Sequence, residues 1–331
     1  MDKLELLLET FKGTNSDYPL FSLWRHFPKI DRDYQQLAEA HVEFYNKYDF
    51  DLMKISPHGR FPVVDYGCII DTECDPITGS TRCSECCIKT LNDWQILESV
   101  DVGEGELGRQ IETVRMIHKK LEFLPKMMTV FSPLMVASKM DPNLVEHIRK
   151  EPDIVAESMF TLLEDVTEYA KASIDAGAEG IFLASQHFRK TELTFQEVER
   201  FEIKFLKKFL SKIENKAEFV VLHVHGEDIK FKEAAKELNV DALNWHDRLT
   251  WPSLSEAAKI FPKGLLAGID ETRTLVDGKP EEIQNNILDS INQSKKVNNR
   301  IIISPGCVIP ITAPERNIEI ITKTIKKSRE G

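Results

Sequence analysis

The stretch "EFVVLHVHG", residues 218–226, decides how the rest of the chain is read. Val221, Leu222 and Val224 read as a buried strand, and Gly226 ends it. His223 and His225 sit one residue apart at that end. In a strand, residues i and i+2 point the same way, so both imidazoles share one face where the strand stops. Seven further short apolar runs recur along the chain: "PLFSLW" (19–24), "FDLMKIS" (50–56), "MMTVFSP" (127–133), "EGIFLAS" (179–185), "VDALNWH" (240–246), "GLLAGID" (264–270) and "RIIISPG" (300–306). Helical patterns separate most of them. "DYQQLAEAHVEFYNKY" precedes the second run, a helix from about Asp153 to Ala176 precedes the fourth, and "TFQEVERFEIKFLKKFLSKI" precedes "EFVVLHVHG".

Eight strands in β-then-α order fit a single α/β domain over residues 1–331, a closed (β/α)8 barrel. No Gly-rich phosphate loop follows the first run, which argues against a dinucleotide-binding doubly wound sheet. One departure interrupts the order. Residues 57–95 hold too many turn residues for a helix and read as a Cys-rich insertion with short strands, between strands two and three.

The composition is that of a globular protein, with 42% hydrophobic and 29% charged residues. A net charge of −11 argues against nucleic-acid and anionic-membrane partners, because both attract basic surfaces. No apolar run approaches the roughly 20 residues that span a bilayer. The opening "MDKLELLLETFKG" lacks the basic start of a signal peptide, so a cytoplasmic location is expected. Five of six cysteines crowd between Cys68 and Cys87. In a reducing compartment such a cluster points to metal or redox chemistry rather than disulfides.

In a (β/α)8 barrel the active site lies at the carboxyl ends of the strands. Arg25 and His26 follow the first run, His58 and Arg60 the second, Ser132 ends the third, and Gln186 follows the fourth. Asn244, His246, Asp247 and Arg248 end or follow the sixth, Asp270, Glu271 and Arg273 the seventh, and Cys307 the eighth. Six of nine histidines fall at such ends. Imidazole nitrogen and thiolate sulfur are ligands that zinc prefers, and three protein ligands with an open position make a catalytic site. His223, His225 and Cys307 form such a set, with His246 as a fourth ligand or substitute. The alternative is a structural histidine pair bonded to Asp247 and Glu227. Trp251, Phe61 and Phe188 line a large apolar pocket or belong to the core. Cys83-x-x-Cys86 has half-site spacing for zinc or an iron–sulfur cluster, with Cys74 and either Cys68 or Cys87 completing four ligands.

The chain resembles the uroporphyrinogen decarboxylase superfamily in "PLFSLWRHFP" (19–28), "FDLMKISPHGRFPVVDYG" (50–67), "TVFSPLMVASK" (129–139), "LNWHDR" (243–248), "LLAGID" (265–270) and "IISPGCVIPITAPERNIEII" (302–321). The resemblance implies a (β/α)8 barrel, and either porphyrinogen decarboxylation or zinc-dependent methyl transfer between a corrinoid and a thiol such as coenzyme M. Four positions depart from the decarboxylase pattern. "WRHFPK" replaces an Arg-rich loop, Ser56 and Pro57 stand where an Asp is expected, and Lys139 and Cys307 replace a Tyr and a His. The methyltransferase pattern, His-x-Cys-Gly on strand five and "SPGC" on strand eight, is matched by His223-Val224-His225-Gly226 and Ser304-Pro305-Gly306-Cys307, with His225 in place of a Cys. The resemblance thus implies a methyltransferase using Zn2+ at His223, His225 and Cys307. Asp247, Asp270 or Glu271 would orient a ligand imidazole, and Arg25, Arg248 and Arg273 would hold an acidic substrate tail. A second zinc or an iron–sulfur cluster would sit at Cys74, Cys83, Cys86 and Cys87. Expected partners are a small-molecule substrate, a separate corrinoid protein and a second copy in a homodimer. A decarboxylase acting on a polycarboxylate, and a non-catalytic corrinoid-binding partner, are the alternative readings.

Overall fold

The computed structural model describes residues 2–15, 18–189 and 193–330. Nine strands form in chain order: β1 (Met53–Ile55), β2 (Ile69–Cys74), β3 (Thr81–Glu85), β4 (Lys126–Phe131), β5 (Gly180–Ser185), β6 (Phe219–Val224), β7 (Ala242–Asn244), β8 (Gly264–Ile269) and β9 (Ile301–Pro305). Seven make one curled sheet in the order β1-β4-β5-β6-β7-β8-β9, and every neighbouring pair is parallel. Parallel strands need crossovers, and helices such as Pro152–Asp175 between β4 and β5 supply them. Both faces of the sheet are therefore covered. That is why β4, β5, β6 and β8 are buried at every residue and read as continuous apolar runs. Among the described residues no helix is long and apolar enough to cross a membrane.

The structure departs from the sequence expectation at the first run. Residues 19–24 form no strand of the sheet, only isolated parallel bridges at Phe21–Ile303 and Arg25–Ile309. Side chains replace part of the ladder on the β1 side. Asp51 accepts the Phe21 amide at 2.8 Å, and the Ser22 hydroxyl donates to the Leu52 carbonyl at 2.7 Å. On the other side the Ser22 amide donates to Ile303 at 3.0 Å and the Ile303 amide to Leu20 at 2.8 Å. The segment thus bridges the approach to β1 and the edge of β9. Between β1 and β4 the chain forms an antiparallel hairpin, β2–β3, separate from the large sheet.

The helix expected to run unbroken over "TFQEVERFEIKFLKKFLSKI" is interrupted. Residues Glu199–Ile203 form a π turn between α-helical Phe195–Val198 and Lys204–Ile213. Glu202, in that turn, is fully buried, with Ser132 donating to it at 3.1 Å and Ser185 also donating to it. Burial pushes its carboxyl up to about 7, against the two serine hydrogen bonds. The native state therefore keeps this proton between about pH 4.5 and 7, where the unfolded chain has lost it. Its stabilising contribution is complete below about 4.5 and lost as pH rises through 7. Chemical denaturation at pH 5 and pH 8 is expected to show a lower midpoint at pH 8, and Glu202→Gln, which stays neutral, is expected to flatten that difference.

Candidate metal centre and active-site cavity

Parallel register sets the site. Phe131, Ala184, His223, Asn244, Leu266 and Ile302 form one row across β4 to β9, so His223 lies beside Asn244. His223 Nδ1 lies 2.6 Å from Asn244 Oδ1. The Asn244 amide donates to the carbonyls of Leu266 at 2.8 Å and Pro305 at 3.1 Å, so its oxygen is the acceptor and His223 Nδ1 carries the proton. That tautomer leaves His223 Nε2 bare, 3.3 Å from His225 Nδ1. His246 Nδ1 donates to Glu271 at 2.8 Å, which turns its Nε2 towards His225 Nδ1 at 3.5 Å. Glu271 also accepts the amides of Gly306 at 3.2 Å and Cys307 at 3.1 Å. One buried carboxylate thus orients an imidazole and fixes the turn that carries the thiol.

Gly306 permits this approach. A Cβ there would lie 2.6 Å from His246 Cα and 2.8 Å from the Trp245 carbonyl oxygen, so only glycine lets the end of β9 close on the end of β7. The result is that donor atoms of His223, His225 and Cys307 all lie within 4.8 Å of one another. Burial alone would raise the Cys307 thiol, but its contacts with His223, His225 and His246 hold it well below its usual value. Burial disfavours charge on His246 as well, yet its contacts with Cys307 and Glu271 push it up to about 10. Burial pulls His223 down. A thiolate among imidazole nitrogens whose tautomers are fixed from behind is a donor set that suits tetrahedral zinc.

The donors open onto a cavity of 380 Å3. Trp24, Phe131 and Phe182 give it apolar walls, and His26, Lys54, Arg60 and Lys139 bring it basic groups. Among the described residues no Asp or Glu lines it. Lys54 donates to Ser56 at 2.9 Å and lies 4.6 Å from the Phe182 ring centre. Lys139 lies 5.2 Å from the Phe131 ring centre, and Arg60 donates to the Thr81 carbonyl at 3.4 Å. Burial pulls both lysines down to about 7. A larger groove of 1170 Å3, lined by residues from Ser138 to Lys150 and by His187, Arg189 and Leu193, is a surface feature without this donor set.

A family model for uroporphyrinogen decarboxylase (URO-D) matches residues 21–328. The chain belongs to the uroporphyrinogen decarboxylase family. Two solved structures have the same fold. A methyltransferase from Methanosarcina mazei is 17% identical, with 99% of each chain covered and a TM-score of 0.83. A B12-independent methionine synthase from Shewanella sp. W3-18-1 is 13% identical, with 96% of each chain covered and a TM-score of 0.58. No curated protein matches the chain.

In this URO-D chain the structure brings some of the expected site residues together and commits others elsewhere. His26, Arg60 and Gln186 line the cavity beside His223, His225 and Cys307. His26 Nδ1 is buried without a hydrogen-bond partner among the described residues. Asn244 positions His223 instead of facing the cavity. The three arginines expected to grip a substrate tail do not line the cavity. Arg25 donates to the Ile311 carbonyl at 3.1 Å, Arg248 pairs with Asp247 and Asp289 at 3.1 Å each, and Arg273 lies exposed over Asp270 at 3.3 Å. His58 faces Glu106 at 3.3 Å and Ser132 serves Glu202. Asp247 accepts the Gly268 amide at 2.9 Å and Asp270 caps Thr274 at 2.8 Å, so Glu271 alone of the three acidic candidates holds a ligand-bearing histidine. Phe61 and Phe188 are core, and Trp251 is 44% exposed. Lys54 and Lys139 were absent from the expected substrate set. A lysine in the middle of the apolar run "LMKIS" was the available signal for Lys54.

Proposed function

We propose that this URO-D family member is a zinc-dependent methyltransferase that passes a methyl group between a corrinoid and a small anionic thiol. The observation that carries this reading is the convergence of His223, His225 and Cys307 on the wall of a cavity whose described lining holds Lys54, Arg60 and Lys139 and no carboxylate. Zn2+ held by these three residues would keep a substrate thiol ionised at neutral pH. The rest is done by the chain itself. Asn244 fixes the tautomer of His223, and Glu271 orients His246 and the turn that carries Cys307, before substrate arrives. Lys54, Arg60 and Lys139 make no ion pair among the described residues, and are placed to receive the substrate's anionic end. Trp24, Phe131 and Phe182 exclude water around the sulfur, which strengthens those charge contacts. In the transfer the sulfur electron pair forms the new S–CH3 bond, and the cobalt–carbon bond breaks with its electrons left on cobalt. Both structural neighbours, a methyltransferase and a methionine synthase, support methyl-transfer chemistry on this fold.

The cations would equally hold a substrate's carboxylates, which keeps polycarboxylate decarboxylation as the second reading. Anaerobic zinc-loaded protein given methylcobalamin and thiols with neutral or anionic tails separates the two. The expected product is the methyl thioether, with anionic thiols preferred. Lys54→Met is expected to raise KM for the anionic thiol roughly 10–100-fold, the worth of one charge-assisted contact, and to change the neutral thiol little. No thioether from any donor, with CO2 released from a porphyrinogen, would replace the first reading by the second.

A further inference from the structure

The hairpin β2–β3 gathers thiols that the barrel site does not use. Cys68 precedes β2, Cys83 lies in β3, and Cys86 and Cys87 follow it. The register sets Cys83 against Ile70, close to Cys68, and sets Cys74 against Thr81, farther along the hairpin. The Cys68 thiol donates to Cys87 Sγ at 3.3 Å, and the Cys87 amide donates to Cys68 Sγ at 3.3 Å. The Cys83 and Cys86 thiols both donate to one carbonyl, that of Lys139, at 3.7 Å each. Cys83 also lies near enough to Cys68 and Cys86 to act on them electrostatically, so the four thiols form one cluster. All are free thiols.

We propose that Cys68, Cys83, Cys86 and Cys87 hold a second, thiolate-ligated metal centre, distinct from the histidine–cysteine set in the barrel. Four cysteines from three places in the sequence gather at one end of the hairpin, and four soft sulfur ligands are the donor number for both a structural zinc and an iron–sulfur cluster. The assignment replaces Cys74, expected from spacing alone, by Cys68. The four are set wider than the barrel donors, which are the one described group of three or more within 4.8 Å. Binding a metal would draw the four thiols inward around it. A cavity of 350 Å3 lined by Tyr66, Cys87 and Ile96 gives the metal a route in. The centre would tie the hairpin to the carbonyl end of helix Pro133–Met140. Both parts face the substrate, since Thr78, Ser80 and Thr81 of the hairpin and Lys139 of the helix line the active-site cavity.

The test is metal and acid-labile sulfide per chain on anaerobically purified full-length protein. The wild type is expected to carry a second metal centre, read as zinc or as iron with matching sulfide. Cys83→Ser and Cys86→Ser are each expected to lose it, while Cys74→Ser and Cys307→Ala keep it. Alkylation of the untreated wild type guards against variants that fail to fold: the four thiols are expected to react slowly until a chelator is added. Absence of any metal beyond that held by His223, His225 and Cys307 would overturn the proposal, as would retention of a second metal in both serine variants, or fast alkylation without chelator. Because Cys307→Ala leaves this centre intact, its failure and that of the barrel site are read separately.

Discussion

Cys307→Ala is expected to lower methyl transfer by at least about 10^3-fold, the scale on which loss of a central catalytic group is felt. Among the described residues the thiol is the only sulfur in this donor set, and its contacts with His223, His225 and His246 favour the thiolate. Removing it leaves buried imidazoles facing one another without an anion. His246, held near 10 by Cys307 and Glu271, loses one of its two supports, so its pKa is expected to fall. The loss should appear in kcat and in metal affinity together, with the circular dichroism spectrum unchanged, because the Cys307 amide still reaches Glu271. Activity within a few-fold of wild type would mean that this thiol neither holds metal nor stabilises the reacting group.

Gly306→Ala is expected to damage the site without touching any functional group. The added methyl meets backbone at 2.6 Å from His246 Cα and 3.0 Å from His246 nitrogen, and backbone cannot rotate away. The ends of β7 and β9 must separate by a large fraction of an ångström. That moves Cys307 away from the histidines and weakens both amide bonds to Glu271. Misplacement on this scale is worth about 10^2-fold in rate. Kinetics and metal titration are expected to show kcat/KM down by about that factor and a weaker metal constant. Thermal stability falls as well, by the 1–3 kcal/mol of an overpacked core. Unchanged metal affinity would show that the close approach of β9 to β7 serves folding alone.

Much of the fold was legible because its strands are buried on both faces. Runs such as "GIFLAS" and "FVVLHV" leave no polar alternation to misread. The run at 19–24 misled because its pattern is equally apolar, while Asp51 and Ser22 take over hydrogen bonds that a ladder would have made. The π turn at Glu199–Ile203 left no periodicity signal, since its flanking residues fit an α-helix just as well. In the site, residue type showed which groups could bind metal, and strand order brought His223, His225 and Cys307 together. Direction was not legible. Arg25, Arg248 and Arg273 stand at strand ends with suitable charge, but local carbonyls and carboxylates hold them. Lys54 faces the cavity from mid-strand, where a single lysine reads as noise in an apolar run. Glu271 was one of three acidic candidates, and only the geometry of the turn at Gly306 separates it from Asp247 and Asp270.

The most direct test of the central claim is metal content per chain, by elemental analysis, of anaerobically purified wild type beside His225→Ala. The histidine variant is expected to hold one zinc fewer than wild type while keeping the same fold. Equal zinc in both proteins, or none in wild type after zinc is supplied, would contradict it and leave His223, His225 and Cys307 as proton-transfer or substrate-binding groups.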